Sequence, residues 1–212
     1  MGIRLKGIKY FEEITSVLNL KTFDGLHLCE LGDLFMRKDA HRGYRRASQF
    51  FSELGFSVSV IDLGIGREKI DKDVLQYDLS KPIETEHRFD FIIDFGTGEH
   101  IADQYEFHRN IHNLSRKGAV VIRSNPSSRY KGVDDTLKPT HGLYHYTVSF
   151  FTKLAWLCRY KIIDVREMTN DYFLKDPRRK NHIYASLMKT KDNEFPSREQ
   201  FQDLESETLI KI

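Results

Sequence analysis

Short apolar segments recur along this chain, each separated from the next by a stretch with the spacing of a helix. They lie at residues 26–32, 56–62, 74–78, 89–94 and 119–123, and several carry apolar side chains at consecutive positions. A strand apolar at consecutive positions cannot turn one face to water, so such strands belong in a sheet covered on both sides. The intervening stretches supply the cover. Residues 8–20, 43–54, 99–114 and 147–158 repeat apolar side chains at three- and four-residue intervals, which predicts helices with one buried face. Strands alternating with helices define an α/β fold built on a parallel sheet.

Local signals punctuate this pattern. Gly55 is placed to stop the second helix, Thr147 to cap the fourth, and Ser197 with Gln200 to open a last short helix through a capping box. Two further strands are expected at 160–165 and 183–188, joined by a polar loop. Residues 127–146 show little periodicity and predict a long loop, a length usually tied to function. The expected division is one domain over residues 1–190, with helix 8–20 included, followed by an acidic tail at 191–212. That tail holds three basic and six acidic residues.

Composition excludes several function classes. Apolar residues make up 40% of the chain and charged residues 30%, enough for a packed core. A net charge of +2 argues against nonspecific nucleic-acid binding, which needs a concentrated basic surface. No apolar run approaches the roughly 18 residues of a membrane span. The first residues lack the apolar stretch of a signal peptide, and Cys29 and Cys158 both sit in apolar segments as small buried hydrophobes. The expectation is a cytoplasmic protein without membrane contact. Phosphate-loop, nucleophile-elbow, Cys-x-x-Cys and Gly-x-Gly-x-x-Gly signatures are all missing.

In open parallel sheets, ligands bind beyond the carboxyl ends of the strands. Here those ends read Glu30-Leu31-Gly32, Asp62-Leu63, Asp78-Leu79 and Asp94-Phe95-Gly96-Thr97. Singly, each acid is the kind of residue that caps the next turn. Four on one rim repel one another unless a ligand rich in hydroxyls, amines or positive charge meets them.

The order of these acids, followed by Gly98-Glu99-His100, resembles the class I S-adenosylmethionine-dependent methyltransferases, in the branch with a Glu-His pair after the fourth strand. Leu114 to Ile122 and 141–165 are similar to that family's fifth strand, late helix and sixth strand. The resemblance covers roughly residues 26–188. It implies a Rossmann-like, seven-stranded, mostly parallel sheet with helices on both faces and the last strand antiparallel. It also implies S-adenosyl-L-methionine as cofactor. Glu30 and Gly32 would lie at the methionine amino group, and Asp62 with Leu63 at the ribose. Asp78 and Leu79 would meet the adenine, and Asp94, Phe95, Gly96 and Thr97 would run beside the sulfonium. Two departures stand out. Leu34 and Met36 occupy positions where the family carries small residues. Gly32 and Asp62 are 30 residues apart, about ten more than usual, with Arg37, Lys38 and Arg42 in the surplus. That surplus is expected to form a lid, a wall of the substrate site or a solvated face.

Methyl transfer needs an aligned acceptor and, for a hydroxyl or amine, a group that takes its proton. Glu99, His100 and His141 are the candidates, with His145 beside them. His108 and His112 share a helix face and are read as packing or surface residues. Glu99 and the histidines also match in type the metal-holding set of small-RNA 2′-O-methyltransferases, with Asp103 or Glu106 needed as a second acid. No metal site is assigned. The acceptor is expected to be a small molecule or sugar, methylated on oxygen or nitrogen, and nucleic acid is disfavoured. A non-catalytic methyltransferase-fold subunit and a metal-dependent RNA methyltransferase stay open.

Overall fold

Alternation within the strands sorts side chains onto two apolar surfaces, and helices close over both. The computed structural model describes residues 2–40, 42–64, 74–127, 142–169, 181–208 and 210–211. Its central sheet contains β1 (His27–Leu31), β2 (Ser57–Asp62), β3 (Val74–Gln76), β4 (Phe89–Asp94), β5 (Ser115–Pro126), β6 (Tyr160–Thr169) and β7 (Asn181–Lys189). The strand order is β3-β2-β1-β4-β5-β7-β6. The first five run parallel, and β7 inserts antiparallel between β5 and β6. The Rossmann-like sheet with an antiparallel last strand is therefore present.

On one face, Leu28, Phe91, Ile93, Val120, Ile122 and Tyr184 pack against α1 (Leu5–Val17) and α2 (Ala47–Glu53). The alternate residues Cys29, Ile92 and Val121 meet α3 (Gln104–Leu114) on the other. There the core continues through Ile183, Ala185 and Leu187 to α4 (Val148–Cys158) and α5 (Arg198–Thr208). Both cysteines are buried and unbonded. Among the described residues no helix is long and apolar enough to cross a membrane.

The capping signals act as expected. Thr147 Oγ1 accepts the Phe150 N–H at 2.9 Å, and Ser197 and Gln200 exchange side-chain bonds with each other's backbone N–H. Gly55 takes φ +107° at the end of α2.

Two expectations need correction. The predicted helix 99–114 is broken: Gly98–His100 forms a single tight turn, and α3 starts only after Asp103, whose carboxylate caps the Glu106 N–H at 3.0 Å. The predicted loop 127–146 contains a short strand, Tyr144–His145, paired with Ile210–Lys211, while 128–141 lie outside the described residues. Of the two readings for His108 and His112 the structure has packing: they are 3% and 1% exposed. The outermost strand, β6, is also irregular, because a bulge interrupts its pairing with β7 between Ser186 and Leu187.

Candidate active site

Parallel pairing brings the carboxyl ends of β1, β2 and β4 to one rim. Gly32 turns the chain after β1 at φ +75°, and its N–H donates to the Ile61 carbonyl at 2.7 Å. Asp62, half-buried at the end of β2, accepts the N–H of Asp33 at 3.0 Å and that of Gly64 at 2.7 Å. It thereby ties the loop after β1 to the loop after β2. Leu63 beside it is exposed, and its carbonyl accepts from Gln76.

Glu30 points inward and is fully buried. One carboxyl oxygen accepts the Leu34 N–H at 2.5 Å; the other, Oε2, has no hydrogen-bond partner among the described residues. Burial pushes its pKa up to about 8. The Leu34 bond opposes that rise, nearby Asp33 and Asp62 add to it, and Arg46 opposes it.

Asp78 stands apart from this group. Its carboxylate accepts the Ser80 N–H and hydroxyl at 3.0 and 2.6 Å, and these bonds hold its pKa below the usual range. The next residue, Leu79, is core, and its carbonyl accepts from Asn110 on α3. Asn110 also bonds Lys81 and Ile83, and so clamps the loop after β3.

Asp94 is at the centre of a buried polar network. One oxygen accepts the N–H groups of Thr97 and Gly98 at 2.9 and 3.1 Å. The other meets Arg123 Nε at 2.9 Å, the Arg123 terminal nitrogen at 2.8 Å and Asn125 Nδ2 at 3.1 Å. Arg123 is 2% exposed, lies near the rings of Phe107, Tyr146 and Phe151, and its Nη1 donates to His108 Nε2 at 2.6 Å. His108 is thus held neutral, its pKa well below the ordinary value because of burial and the adjacent guanidinium. Asn125 bonds Glu99 Oε2 at 2.9 Å, and the Glu99 carbonyl accepts the Leu143 N–H. The Asp94 carboxylate is therefore turned beneath the rim. Phe95, Gly96 and Thr97 form the loop above it, and Thr97 Oγ1 donates to the Leu31 carbonyl at 2.6 Å, which closes β4 against β1.

Glu99 is buried, whereas His100 is exposed, with its Nε2 4.0 Å from Glu99 Oε1. His141 lies outside the described residues. His145 is buried on the short strand that returns toward this loop. Asp103 and Glu106 face Arg198 of α5 instead. Among the described residues no group of three or more His, Cys, Asp or Glu is arranged to hold a metal ion.

Sequence reasoning missed Arg123, Asn125 and Asn110. A signal for the first two was present: a charge and an amide directly following the apolar run 119–122, and buried polar groups are hydrogen-bonded. Further along this rim, Ser127 and Asn181 both donate to Glu167 Oε1.

Gly98 has no room for a side chain. A Cβ there would sit 2.5 Å from Arg123 and from Phe107 and 2.8 Å from the Asp94 carboxylate. Gly98→Ala is expected to destabilise the fold by about 2–4 kcal/mol through overpacking of a buried ion pair. Chemical denaturation checks this, and a loss below about 0.5 kcal/mol, the range of neutral surface changes, would refute it.

Of the four strand-end acids only Asp62 stands open at the rim, and the strand order is that of solved S-adenosylmethionine-dependent methyltransferases. An S-adenosylmethionine-dependent methyltransferase from Mesorhizobium loti is 18% identical with a TM-score of 0.55, the match covering 84% of this chain and 96% of that one. The 1,6-didemethyltoxoflavin-N1-methyltransferase of Burkholderia thailandensis, solved with 1,6-didemethyltoxoflavin and S-adenosylhomocysteine, is 17% identical with a TM-score of 0.56, covering 89% and 80%. The 4+2 cyclase SpnF is 9% identical with a TM-score of 0.58, covering 87% and 81%. At these identities the likeness is one of fold. No protein-family model matches the chain, and no curated protein matches it in sequence.

Proposed function

We propose that this protein is an S-adenosyl-L-methionine-dependent methyltransferase acting on an oxygen or nitrogen of a small molecule or sugar. The observation that carries the reading is Asp62. It is an accessible carboxylate at the end of β2, beside the Gly32 turn, in a sheet whose strand order is that of such enzymes. A carboxylate there can accept hydrogen bonds from two vicinal ribose hydroxyls.

The other residues support the same placement. Glu30, beneath the Gly32 turn, has an oxygen with no hydrogen-bond partner among the described residues; protonated at neutral pH, it would give up that proton to accept a charged amino group. The loop Phe95-Gly96-Thr97, fixed from below by Asp94, would run beside the methionine, and Asp78 with Leu79 would border the adenine. The cofactor supplies an electrophilic methyl group. The protein's part is to align the acceptor and take its proton, for which Glu99, His100 and His141 are the proposed residues.

Titration calorimetry with S-adenosylhomocysteine tests the reading. Micromolar binding is expected, and Asp62→Ala should weaken it roughly tenfold to a hundredfold through lost charge-assisted hydrogen bonds. Equal affinities would remove Asp62 from the site. A second reading, a non-catalytic methyltransferase-fold subunit, rests on Leu34 and Met36, which stand where the family has small residues and are packed into the core. Absence of binding at millimolar ligand would favour it.

A further inference from the structure

Two helices cover the β5-β7-β6 part of the sheet, and their outer faces carry opposite charge. Phe150, Phe151 and Leu154 of α4 share one core with Phe201 and Leu204 of α5, the Phe150 and Phe201 rings lying 6.3 Å apart. That packing leaves Thr152, Lys153 and Trp156 of α4 and Glu199, Gln202 and Asp203 of α5 exposed on the outside. Residues 148–161 hold Lys153, Arg159 and Lys161 and no acid. Residues 199–205 hold Glu199, Asp203 and Glu205 and no base.

Trp156 is out of place on such a face. It is the chain's single tryptophan, it is 82% exposed, and it makes no ring or cation contact among the described residues. An aromatic side chain of this kind buries about 150–250 Å² when covered, and tryptophan and arginine are over-represented at the centres of protein interfaces. Beside it, a groove between the end of α4, the start of β6 and the first turn of α5 is lined by Trp156, Arg159, Lys161, Thr190 and Gln200. The groove is braced. Arg159 ends α4 at φ 56°, its N–H donates to the Trp156 carbonyl at 3.2 Å, and its own carbonyl accepts the Thr190 hydroxyl at 2.7 Å. Arg159 and Lys161 have no carboxylate partner among the described residues, and Glu199, next to Gln200, has no basic one. Charges of both signs thus border one groove without pairing across it.

We propose that this face binds a second copy of the chain, as a twofold dimer in which Trp156 of each protomer enters the groove of its partner. Arg159 and Lys161 of one protomer then meet the acidic first turn of α5 in the other. A twofold contact sets a patch against itself, so the patch must carry both halves of every pair. This one does, with an exposed ring beside a groove and cations beside an acid. An external acidic partner would satisfy the cations but would set like charge against Glu199, and an anionic lipid surface would repel Glu199 and Asp203. Gly32 and Asp62 follow β1 and β2 on the other part of the sheet, so the dimer leaves their turn uncovered.

Sedimentation velocity on the full chain, across the micromolar range, tests the proposal. A species of twice the chain mass is expected. Tryptophan emission reports on Trp156 alone and should shift to shorter wavelength as that species forms. Trp156→Ala should weaken dimerisation at least about thirtyfold, the scale of an interface hot spot. Lys161→Glu and Glu199→Lys should each weaken it about tenfold, and an equimolar mixture of these two variants should recover it, since each supplies the charge the other lost. All three side chains are exposed, so every variant should keep the wild-type melting temperature. A monomer at every concentration overturns the proposal, as does a dimer that Trp156→Ala leaves intact or a mixture that recovers nothing. A monomer whose emission shifts only with phosphatidylserine vesicles, or only with polyglutamate, also overturns it, by reassigning the face to a membrane or to an acidic partner.

Discussion

Arg123→Ala is expected to cost about 3–5 kcal/mol of stability, because it strands the buried Asp94 carboxylate without its counter-charge. The guanidinium is sealed from water, meets Asp94 through two nitrogens and also satisfies His108. Removing it leaves an uncompensated charge, an unfilled volume among Phe107, Tyr146 and Phe151, and an imidazole nitrogen without its donor. Urea denaturation measures the loss. A double variant, Arg123→Met with Asp94→Asn, is expected to recover part of it, since neutralising both partners avoids burying a lone charge. A single-variant loss below about 1 kcal/mol, the scale of a surface pair, would show that the pair does not hold the loop after β4.

The second large effect is a pH dependence originating at Glu30. The folded protein raises this carboxyl to about 8, whereas an unfolded chain leaves a glutamate near 4.3. The folded state therefore holds the proton more tightly. The stabilisation is complete below the unfolded value and is lost as pH rises through about 8. Between those limits the slope contributed by this one group approaches about −1.4 kcal/mol per pH unit. His112 works in the opposite sense at lower pH. Burial depresses its pKa to about 4, so its contribution falls away as pH drops below the ordinary histidine range. Above about pH 6.5 the slope from His112 fades as the unfolded imidazole loses its proton, while that of Glu30 stays near its full size, so Glu30 should dominate. Unfolding free energies at pH 6.8 and 7.8 are expected to differ by about 1 kcal/mol in the wild type and by much less in Glu30→Gln. The same slope in both proteins would mean that Glu30 is ionised in the fold.

The fold was largely legible because its main signal is local and repeated. Phe89–Asp94 and the run 119–122 are apolar on both faces, and only a sheet covered on both sides accepts such strands. Ser197 with Gln200, Thr147 and Gly55 marked helix ends through bonds made within a few residues. Legibility failed where the decisive partner was distant in sequence. Nothing near Asp94 reveals that Arg123, opposite it on β5, takes one of its oxygens, nor that Asn125 links it to Glu99. Residues 99–114 show helical spacing throughout, yet Gln104 bonds the Gly98 and Ile101 carbonyls and the chain turns tightly before α3 begins. His108 and His112 read as packing or surface positions because their partners, Arg123, Tyr160 and the Asn193 carbonyl, come from other elements. Leu34 and Met36 read in the sequence only as departures from a small-residue pattern, because the residues they pack against come from other segments.

The bulge in β6 has a consequence for how the molecule behaves at high concentration. A straight outermost strand offers a template on which an unrelated chain can add its own backbone, the first step of fibril growth. Ile163 breaks the regular spacing of donors and acceptors midway along the ladder, and the extra twist that a bulge introduces turns the two halves out of line. Recruitment of a further strand along this edge is expected to stall at that point, which would leave the sheet at the seven strands seen among the described residues.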